Sequence, residues 1–343
     1  MSRKNSNAII KIPKLLKSKL NNKKINKIYK EFENSLNLNE DFIVAVSGGP
    51  DSLALAFLAK IYSLKKNLRS EFIIVDHKLR KESTIEAKFV NKILKKFYIE
   101  SQILTWRGKK PLKNIQSLAR KKRYEILFDN CKKLKIRNIL LGHHQDDLFE
   151  NFLIRILRGS GLKGLVSLNK KNVIENINIL RPLLDFKKKD LIFAARYVFN
   201  YYVKDPSNID DKFKRIRIRK LLLDLENEGL DKRKFIKTID NLKYSEKVIN
   251  FYVDENLNKN SFFSAKENRT ILNYNEFFSQ PHEIIFRSLS NLIKFTSKNY
   301  YPVRGKKIEK IIEEIKKKSF LKATLGGCII KRVNQTVIIS KEH

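Results

Sequence analysis

The sequence predicts an α/β fold, a parallel sheet with helices on both faces, followed by a mostly helical C-terminal region with a small β hairpin. Apolar, β-branched runs of strand length recur at residues 42–46, 71–77, 102–106 and 138–142. Segments of helical length separate them, the alternation that marks βαβ units and a covered parallel sheet. Polar clusters follow three of the runs, at residues 47–52, 76–77 and 143–147. Open parallel sheets bind ligands beyond those strand ends.

In chain order, residues 1–40 are basic and place Leu15, Leu16, Ile25, Ile28, Tyr29 and Phe32 at helical spacing. A helical lead-in is expected there. The first strand, 42–46, stops at Ser47, Gly48, Gly49, Pro50, Asp51 and Ser52, and residues 53–64 read as a Leu- and Ala-rich helix. Strand, small polar turn and helix make an anion site. Glycines let backbone approach a ligand, and free N–H groups at a helix start carry the positive end of the dipole. Ser47 and Ser52 add hydroxyl donors. A carboxylate at Asp51 beside a bound phosphate implies an intervening cation, Mg²⁺, with Asp51 as its ligand. The blander reading is a capped turn.

The second strand leads through Asp76, His77, Lys78, Leu79 and Arg80 to a helix at 83–97, with Ser83 as cap and Glu86 at the capping-box position. Residues 114–133 form a long helix with Arg120 and Arg123 one turn apart, a spacing that holds phosphate. The fourth strand opens into Gly142, His143, His144, Gln145, Asp146, Asp147 and, one helical turn on, Glu150. Asp147 and Glu150 share a helix face. Three acids at a strand end of a basic chain call for an amine or Mg²⁺, although Asp146 and Asp147 also suit a helix N-terminus. His143 is expected to face a nucleotide, while His144 reads equally as a capping or core residue.

Residues 158–165 read as a flexible basic loop, 179–184 as a short strand and 187–200 as a helix. Asp205, Pro206, Ser207 and Asn208 make a turn. Residues 213–220 concentrate cations, and 221–257 are helical and charged. Beyond residue 262, two more helices precede β-like runs at 327–330 and 336–339, which Asn334 and Gln335 join as a hairpin. The expected division is a basic lead-in at 1–40, a catalytic domain at 41–220, a helical linker at 221–260 and a C-terminal region at 261–343.

Composition sets the partner class. The 343 residues carry a formal net charge of +37 at pH 7, with 42% hydrophobic and 32% charged residues. Nucleic acid is the leading partner for such a balance, and a membrane surface the weaker one. Abundant Lys, Asn and Ile also suit an A/T-rich genome that writes lysine onto solvated faces. No run approaches ~18 apolar residues, so no membrane span is expected. The basic start lacks a signal-peptide core, and Cys131 and Cys328 have no metal spacing. A reducing cytoplasm is therefore expected.

The loop SGGPDS resembles the pyrophosphate loop of the N-type ATP pyrophosphatases, the PP-loop family. The further series DHKLR, NIQSLARKKRY, GHHQDDLFEN, RGSGLKGL, RPLL and DPSNIDDKF resembles the tRNA(Ile)-lysidine synthetases across about residues 40–220. That resemblance implies a Rossmann-like, adenine nucleotide alpha hydrolase-like fold and two reaction steps. ATP adenylates the C2 oxygen of cytidine 34 in the CAU anticodon of tRNA(Ile); free lysine then displaces AMP, and decoding changes from AUG to AUA. It further implies that Ser47, Gly48, Gly49, Pro50, Asp51 and Ser52 bind ATP, that Arg123 and His143 assist at the phosphates, and that Asp147 and Glu150 hold lysine. It places tRNA binding at 261–343 and leaves a homodimer open. Gln116 stands where the family usually has Glu, Asn151 where it has Thr, and Ile216 where it has Asn. Another PP-loop tRNA-modifying enzyme, such as a thiolase, and a non-catalytic RNA-binding protein remain alternatives at this point.

Overall fold

A computed structural model describes residues 12–80, 82–106, 108, 115–203, 214–298 and 303–342. The chain divides into two compact units, Met1–Asp231 and Lys232–His343.

The first unit is built on β1 (Phe42–Val46), β2 (Ser70–Asp76), β3 (Ser101–Thr105), β4 (Asn138–Leu140), β5 (Lys171–Ile174) and β6 (Ile177–Leu180), in the sheet order β3-β2-β1-β4-β6-β5. All neighbours run parallel except β5, which returns antiparallel against β6. Because side chains alternate along a strand, a sheet covered on both faces needs apolar residues at every position. β1 shows this directly. Phe42, Val44 and Val46 join the core shared with α3 (Pro50–Lys66), α4 (Ser83–Lys96) and α8 (Lys188–Phe199), whereas Ile43 points to the opposite core. That second core holds Leu127, Phe128 and Cys131 of α5 (Ile115–Leu134). α3 is apolar nearly all round, and its residues from Ser52 to Ala59 are buried.

The lead-in is two helices, α1 (Lys14–Leu20) and α2 (Lys23–Leu36). The Asn22 side chain caps α2 by accepting from the N–H groups of Lys24 and Ile25 at 3.0 and 3.1 Å. Leu16, Ile25, Ile28, Tyr29 and Phe32 are buried as their spacing requires, but Leu15 faces out. The expected cap of α4 is also different. Glu82 stands at the N-cap without a side-chain bond, while the Ser83 hydroxyl donates to Asp76 and Glu86 pairs with Arg80. The basic loop at 158–165 contains a helical turn, α7 (Leu162–Leu165), and follows α6 (Gln145–Ile156). Residues 214–220 and the start of the charged segment form one helix, α9 (Lys214–Asn227). The turn at Asp205, Pro206, Ser207 and Asn208 lies outside the described residues.

The second unit begins with α10 (Lys232–Asn260) and carries three further helices, α11 (Tyr274–Phe278), α12 (His282–Ser297) and α13 (Gly305–Lys316). The hairpin expected near its end is β10 (Cys328–Val333) and β11 (Thr336–Lys341), with Asn334 in the left-handed region at φ 52°. It is the centre of a larger antiparallel sheet. β9 (Lys322–Leu325), β8 (Arg269–Asn273) and β7 (Ser261–Ser264) extend it in the order β7-β8-β11-β10-β9. The sequence understated this sheet because three of its strands have only four or five residues.

One buried cation joins α10 to α12. Arg287, 4% exposed, donates to both carboxylate oxygens of Glu246 at 2.7 Å and to Glu283 at 2.7 Å. Removing Glu246 leaves this buried cation with only Glu283, whose side chain is half exposed. Glu246→Ala is expected to destabilise the second unit by about 3–5 kcal/mol, read as a lower denaturant midpoint; a change within error would make the pair dispensable.

Candidate active site

The site lies where the carboxyl ends of β1 and β4 meet. β1 and β4 are hydrogen-bonded neighbours, with Val44 opposite Leu140, so the segments that follow emerge side by side. Gly142 makes the contact close. A Cβ there would stand 3.2 Å from the Asp51 carbonyl and from the Ser52 amide nitrogen.

The loop after β1 turns through Gly48 at φ +84°, a conformation other residues rarely adopt. A Cβ on Gly48 would meet Val90 at 2.7 Å and Val203 at 2.9 Å, and the Gly48 carbonyl accepts from the Val203 N–H at 2.9 Å. Pro50 occupies the first turn of α3, and no side chain caps the helix. The helix start therefore remains open to an anion. The two loop hydroxyls have a different task from the outward donation expected of them. Ser52 Oγ accepts the Ser47 N–H at 3.1 Å and donates to the Gly49 carbonyl at 3.0 Å, while Ser47 Oγ donates to Ser52 Oγ at 3.2 Å. They stiffen the loop.

His144 caps α6 and also faces two carboxylates. Its Nδ1 accepts from the Asp146 N–H at 3.2 Å, and Asp147 Oδ2 accepts the His144 N–H at 2.9 Å, which closes a capping box on α6. With Nδ1 accepting, Nε2 carries the proton. It lies 3.6 Å from Asp51 Oδ2 and 3.7 Å from Asp147 Oδ2, between two carboxylates whose residues are almost a hundred positions apart. Burial pushes the Asp51 carboxyl up, against the pull of His144 and Lys188. Burial also raises Asp147, but His144, His143 and the His144 N–H outweigh it and hold that carboxyl below the usual range.

Glu150, 1% exposed, is held by α9, which packs on α6. Arg219 Nε donates to Glu150 Oε1 at 2.5 Å. Burial still leaves the Glu150 carboxyl above its ordinary value. On α5, Arg123 Nε donates to His77 Nε2 at 3.4 Å, and Arg120 lies over the Tyr124 ring, 5.5 Å from its centroid. Asp76, at the end of β2, is committed to structure. Its oxygens accept from Lys78 N–H at 2.9 Å, Ser83 at 2.9 Å and Thr84 at 2.6 Å, and these bonds overcome the effect of burial to hold its pKa down.

Polar atoms without partners mark the same place. Among the described residues, buried unpartnered side-chain atoms include Asp51 Oδ1, His77 Nδ1, His143 Nδ1, Glu150 Oε2 and Arg181 Nε. Asp51 lies in the first turn of α3 and Glu150 in the second turn of α6, while His77, His143 and Arg181 follow β2, β4 and β6, at one end of the sheet. Native interiors satisfy most such atoms, so a cluster of exceptions points to a ligand. Asp51 Oδ1 fits a hard cation, since Mg²⁺ takes one or two carboxylates and completes its shell with water and substrate phosphate.

A protein-family model described as the PP-loop domain matches residues 18–226. The tRNA(Ile)-lysidine synthase of Wolbachia pipientis wMel is 33% identical over 319 residues, covering 91% of this chain and 74% of that protein. The tRNA(Ile)-lysidine synthase of Orientia tsutsugamushi (strain Boryong) is 34% identical over 313 residues, covering 89% and 70%. The chain belongs to the tRNA(Ile)-lysidine synthase family. It is thus an ATP-using ligase of the PP-loop kind. Among solved structures, the U34-tRNA thiolase NcsA from Methanococcus maripaludis with its [4Fe-4S] cluster superposes with a TM-score of 0.56 at 18% identity, covering 64% of this chain and 78% of that one. That likeness is one of fold.

Set against the lysidine synthase family's segments, the expected residues Asp51, His143, Asp147 and Glu150 collect at one strand-end cluster, and Arg123 stands over His77 beside it. Four residues were not singled out from the sequence: Arg181, Lys188, Arg219 and Tyr124. Arg181 directly follows β6, so the strand-end argument that found the other clusters reaches it too. Arg215 and Arg219 are one turn apart on α9, a spacing visible in the sequence once the segment is read as helix.

Burial drives His143 to about 3, opposed by Asp147 and assisted by Arg181, Arg120 and Arg215; burial with Arg123 drives His77 to about 4. The folded chain thus binds fewer protons than the unfolded chain below the ordinary histidine value of about 6.5, and stability falls as pH drops through that window. His143→Asn is expected to flatten that fall by at most one proton, ~1.4 kcal/mol per pH unit, in denaturation curves between about pH 4.5 and 6. An unchanged slope would show that His143 protonates in the folded state.

Proposed function

We propose that the chain ligates lysine to C2 of cytidine 34 in the CAU anticodon of tRNA(Ile), forming lysidine through an adenylated cytidine. The observation that carries this reading is the position of His144 Nε2, within 3.7 Å of both Asp51 and Asp147. It brings the pyrophosphate-loop carboxylate and the amine-binding carboxylate into one site, as a reaction that first activates with ATP and then takes an amine requires.

In the first step the cytidine O2 attacks the α-phosphorus of ATP, the α–β bridge breaks and pyrophosphate leaves. Gly48 and Gly49 give the phosphates close access to the start of α3, and Ser47 and Ser52 hold the loop in shape. Bound Mg²⁺, with Asp51 as its protein ligand, would neutralise the phosphate charge. Arg123 supplies positive charge for the leaving pyrophosphate, and neutral His143 offers a hydrogen bond without adding a cation to the arginines around it.

In the second step the side-chain amine of lysine attacks C2 and AMP leaves. An ammonium cannot attack, so a proton must go first. Asp147 and Glu150 attract the cation, and a carboxylate raised by burial, as Glu150 is, accepts a proton more readily than an exposed one. Arg219 occupies one oxygen of Glu150, and Oε2 is left for the amine.

The basic surface then serves tRNA, with residues 261–343 contributing to its binding. No helix among the described residues is long and apolar enough to cross a membrane. A sulfur-transfer reading fits the chain less well. A [4Fe-4S] cluster is commonly held by cysteine thiolates, and this chain has two cysteines, one in each unit. Both are buried and free, with burial pushing Cys131 up to about 12 and Cys328 up to about 11, far from the thiolate form at pH 7.

The test is incorporation of labelled lysine into tRNA(Ile) bearing CAU, in the presence of ATP and Mg²⁺. Labelled tRNA and release of AMP and pyrophosphate are expected. No label, with a lysidine-forming enzyme active in parallel, would falsify the proposal. Asp51→Ala is expected to lower ATP cleavage by at least ~10³-fold while tRNA affinity stays within about threefold, because it removes charge stabilisation at the phosphates and no RNA contact. A tRNA affinity that fell in step with cleavage would move Asp51 to the RNA side of the site.

A further inference from the structure

Among the described residues, Arg181 is the one buried cation in the strand-end cluster to which the proposed reaction gives no task. It is 5% exposed. Its position follows from the sheet. β4 and β6 pair in register, Leu140 opposite Leu180, and the Leu141 N–H continues the ladder to the Leu180 carbonyl at 2.9 Å. Arg181 therefore leaves β6 beside Gly142 and His143 leaving β4. The guanidinium is fastened on the far side. Nη1 donates to the Asn169 carbonyl at 2.8 Å and to the Asn172 side chain, and the Arg181 N–H donates to the Lys170 carbonyl at 2.7 Å. Those contacts tie it to the start of β5. On the near side its charge faces His143, Asp147, Tyr124 and Arg120, and Nε is a buried donor with no protein partner.

We propose that Arg181 is a positioning residue for the adenylation step, its buried planar fork anchoring the side of the site formed by His143 and Tyr124 to the β5–β6 hairpin. An arginine suits this task better than a lysine. The fork can bond the hairpin with one nitrogen and keep another, in fixed geometry, for the reacting side. A buried donor left unpaired is retained where function uses it. Arg181 also adds positive charge beside His143 and so assists burial in keeping that ring neutral. Through Tyr124, which lies under Arg120, the same anchor steadies the face of α5 that carries Arg120 and Arg123.

The inference rests on the proposed lysidine-forming reaction, and its test keeps the two apart. tRNA-dependent ATP–pyrophosphate exchange is measured for the unaltered chain, Arg181→Met, Asn172→Ala and the double variant, each with its melting temperature. Exchange by the unaltered chain is the condition for both; its absence overturns the proposed function and this inference with it. Arg181→Met is expected to lose about 10–100-fold in kcat, as loss of a supporting contact to a reactive group typically does, with KM for ATP within about twofold. Asn172→Ala is expected to lose less, and the double variant no more than Arg181→Met alone, because the two act as one unit. A raised KM with kcat unchanged would overturn positioning and make Arg181 a nucleotide-binding residue. A lowered melting temperature with unchanged kcat per folded molecule would make it structural only. If Arg181→Met does not fold, the kcat-against-KM split of Asn172→Ala decides by the same criteria.

Discussion

The pairing of β1 with β4 is the constraint on which the site depends. Residues 51 and 147 are far apart in the chain, and only the parallel register Phe42–Asn138, Ile43–Ile139 and Val44–Leu140 sets their strand ends side by side. The register is held at both ends. At the start, Asn138 Nδ2 donates to Glu40 at 2.9 Å and to the Asp41 carbonyl at 3.1 Å. At the finish, Gly142 lets the second segment lie against the first turn of α3. A slip of β4 by one residue would send Ile139 to the wrong core and move Gly142 off Asp51. Packing and catalysis thus select the same alignment, with the core supplying the energy and the glycine the clearance.

That energy is needed because the site is unfavourable by itself. Asp51, Glu150, His77, His143 and Arg181 each hold a buried polar atom without a partner, and such an atom costs about 1–3 kcal/mol. The offset comes from α3. Its burial from Ser52 to Ala59 anchors the helix whose first turn carries the phosphate loop. The least compensated part of the molecule is therefore attached directly to its most deeply buried helix.

The parallel centre of the first unit's sheet was legible in the sequence because a strand covered on both faces is apolar nearly throughout, as β1 is, whereas the edge strand β5, four residues with alternating exposure, was not expected. The site followed from the same reading, since polar residues directly after such runs mark the strand ends. Side-chain direction was harder to see. Ser52 and Asp76 have the composition of ligand contacts, yet their hydrogen-bonding capacity is taken by Gly49 and Ser47 in one case and by Lys78, Ser83 and Thr84 in the other. Local backbone geometry decides such competition, and spacing does not encode it. His144 shows the converse, because a capping nitrogen and an outward nitrogen belong to one ring. In the second unit the strands are short and half-exposed, so β7, β8 and β9 carry too little apolar pattern to stand out from loops.

Under the proposed reaction, the arrangement of charge lets a chain of net +37 offer acids to an amine and still attract RNA. Arg215 acts on both Asp147 and Glu150, Arg219 on Glu150, and Arg181 feels the charge of Asp147. From a distance the cations dominate, and a polyanion is attracted. At contact range the low dielectric sharpens each pair. Glu150 has one oxygen bonded to Arg219 and one without a protein partner. A small cation such as the lysine ammonium can take that second oxygen without displacing the arginine. In the proposed reaction the guanidinium groups thus draw the polyanion to the site, while the second oxygen of Glu150 is left for the amine.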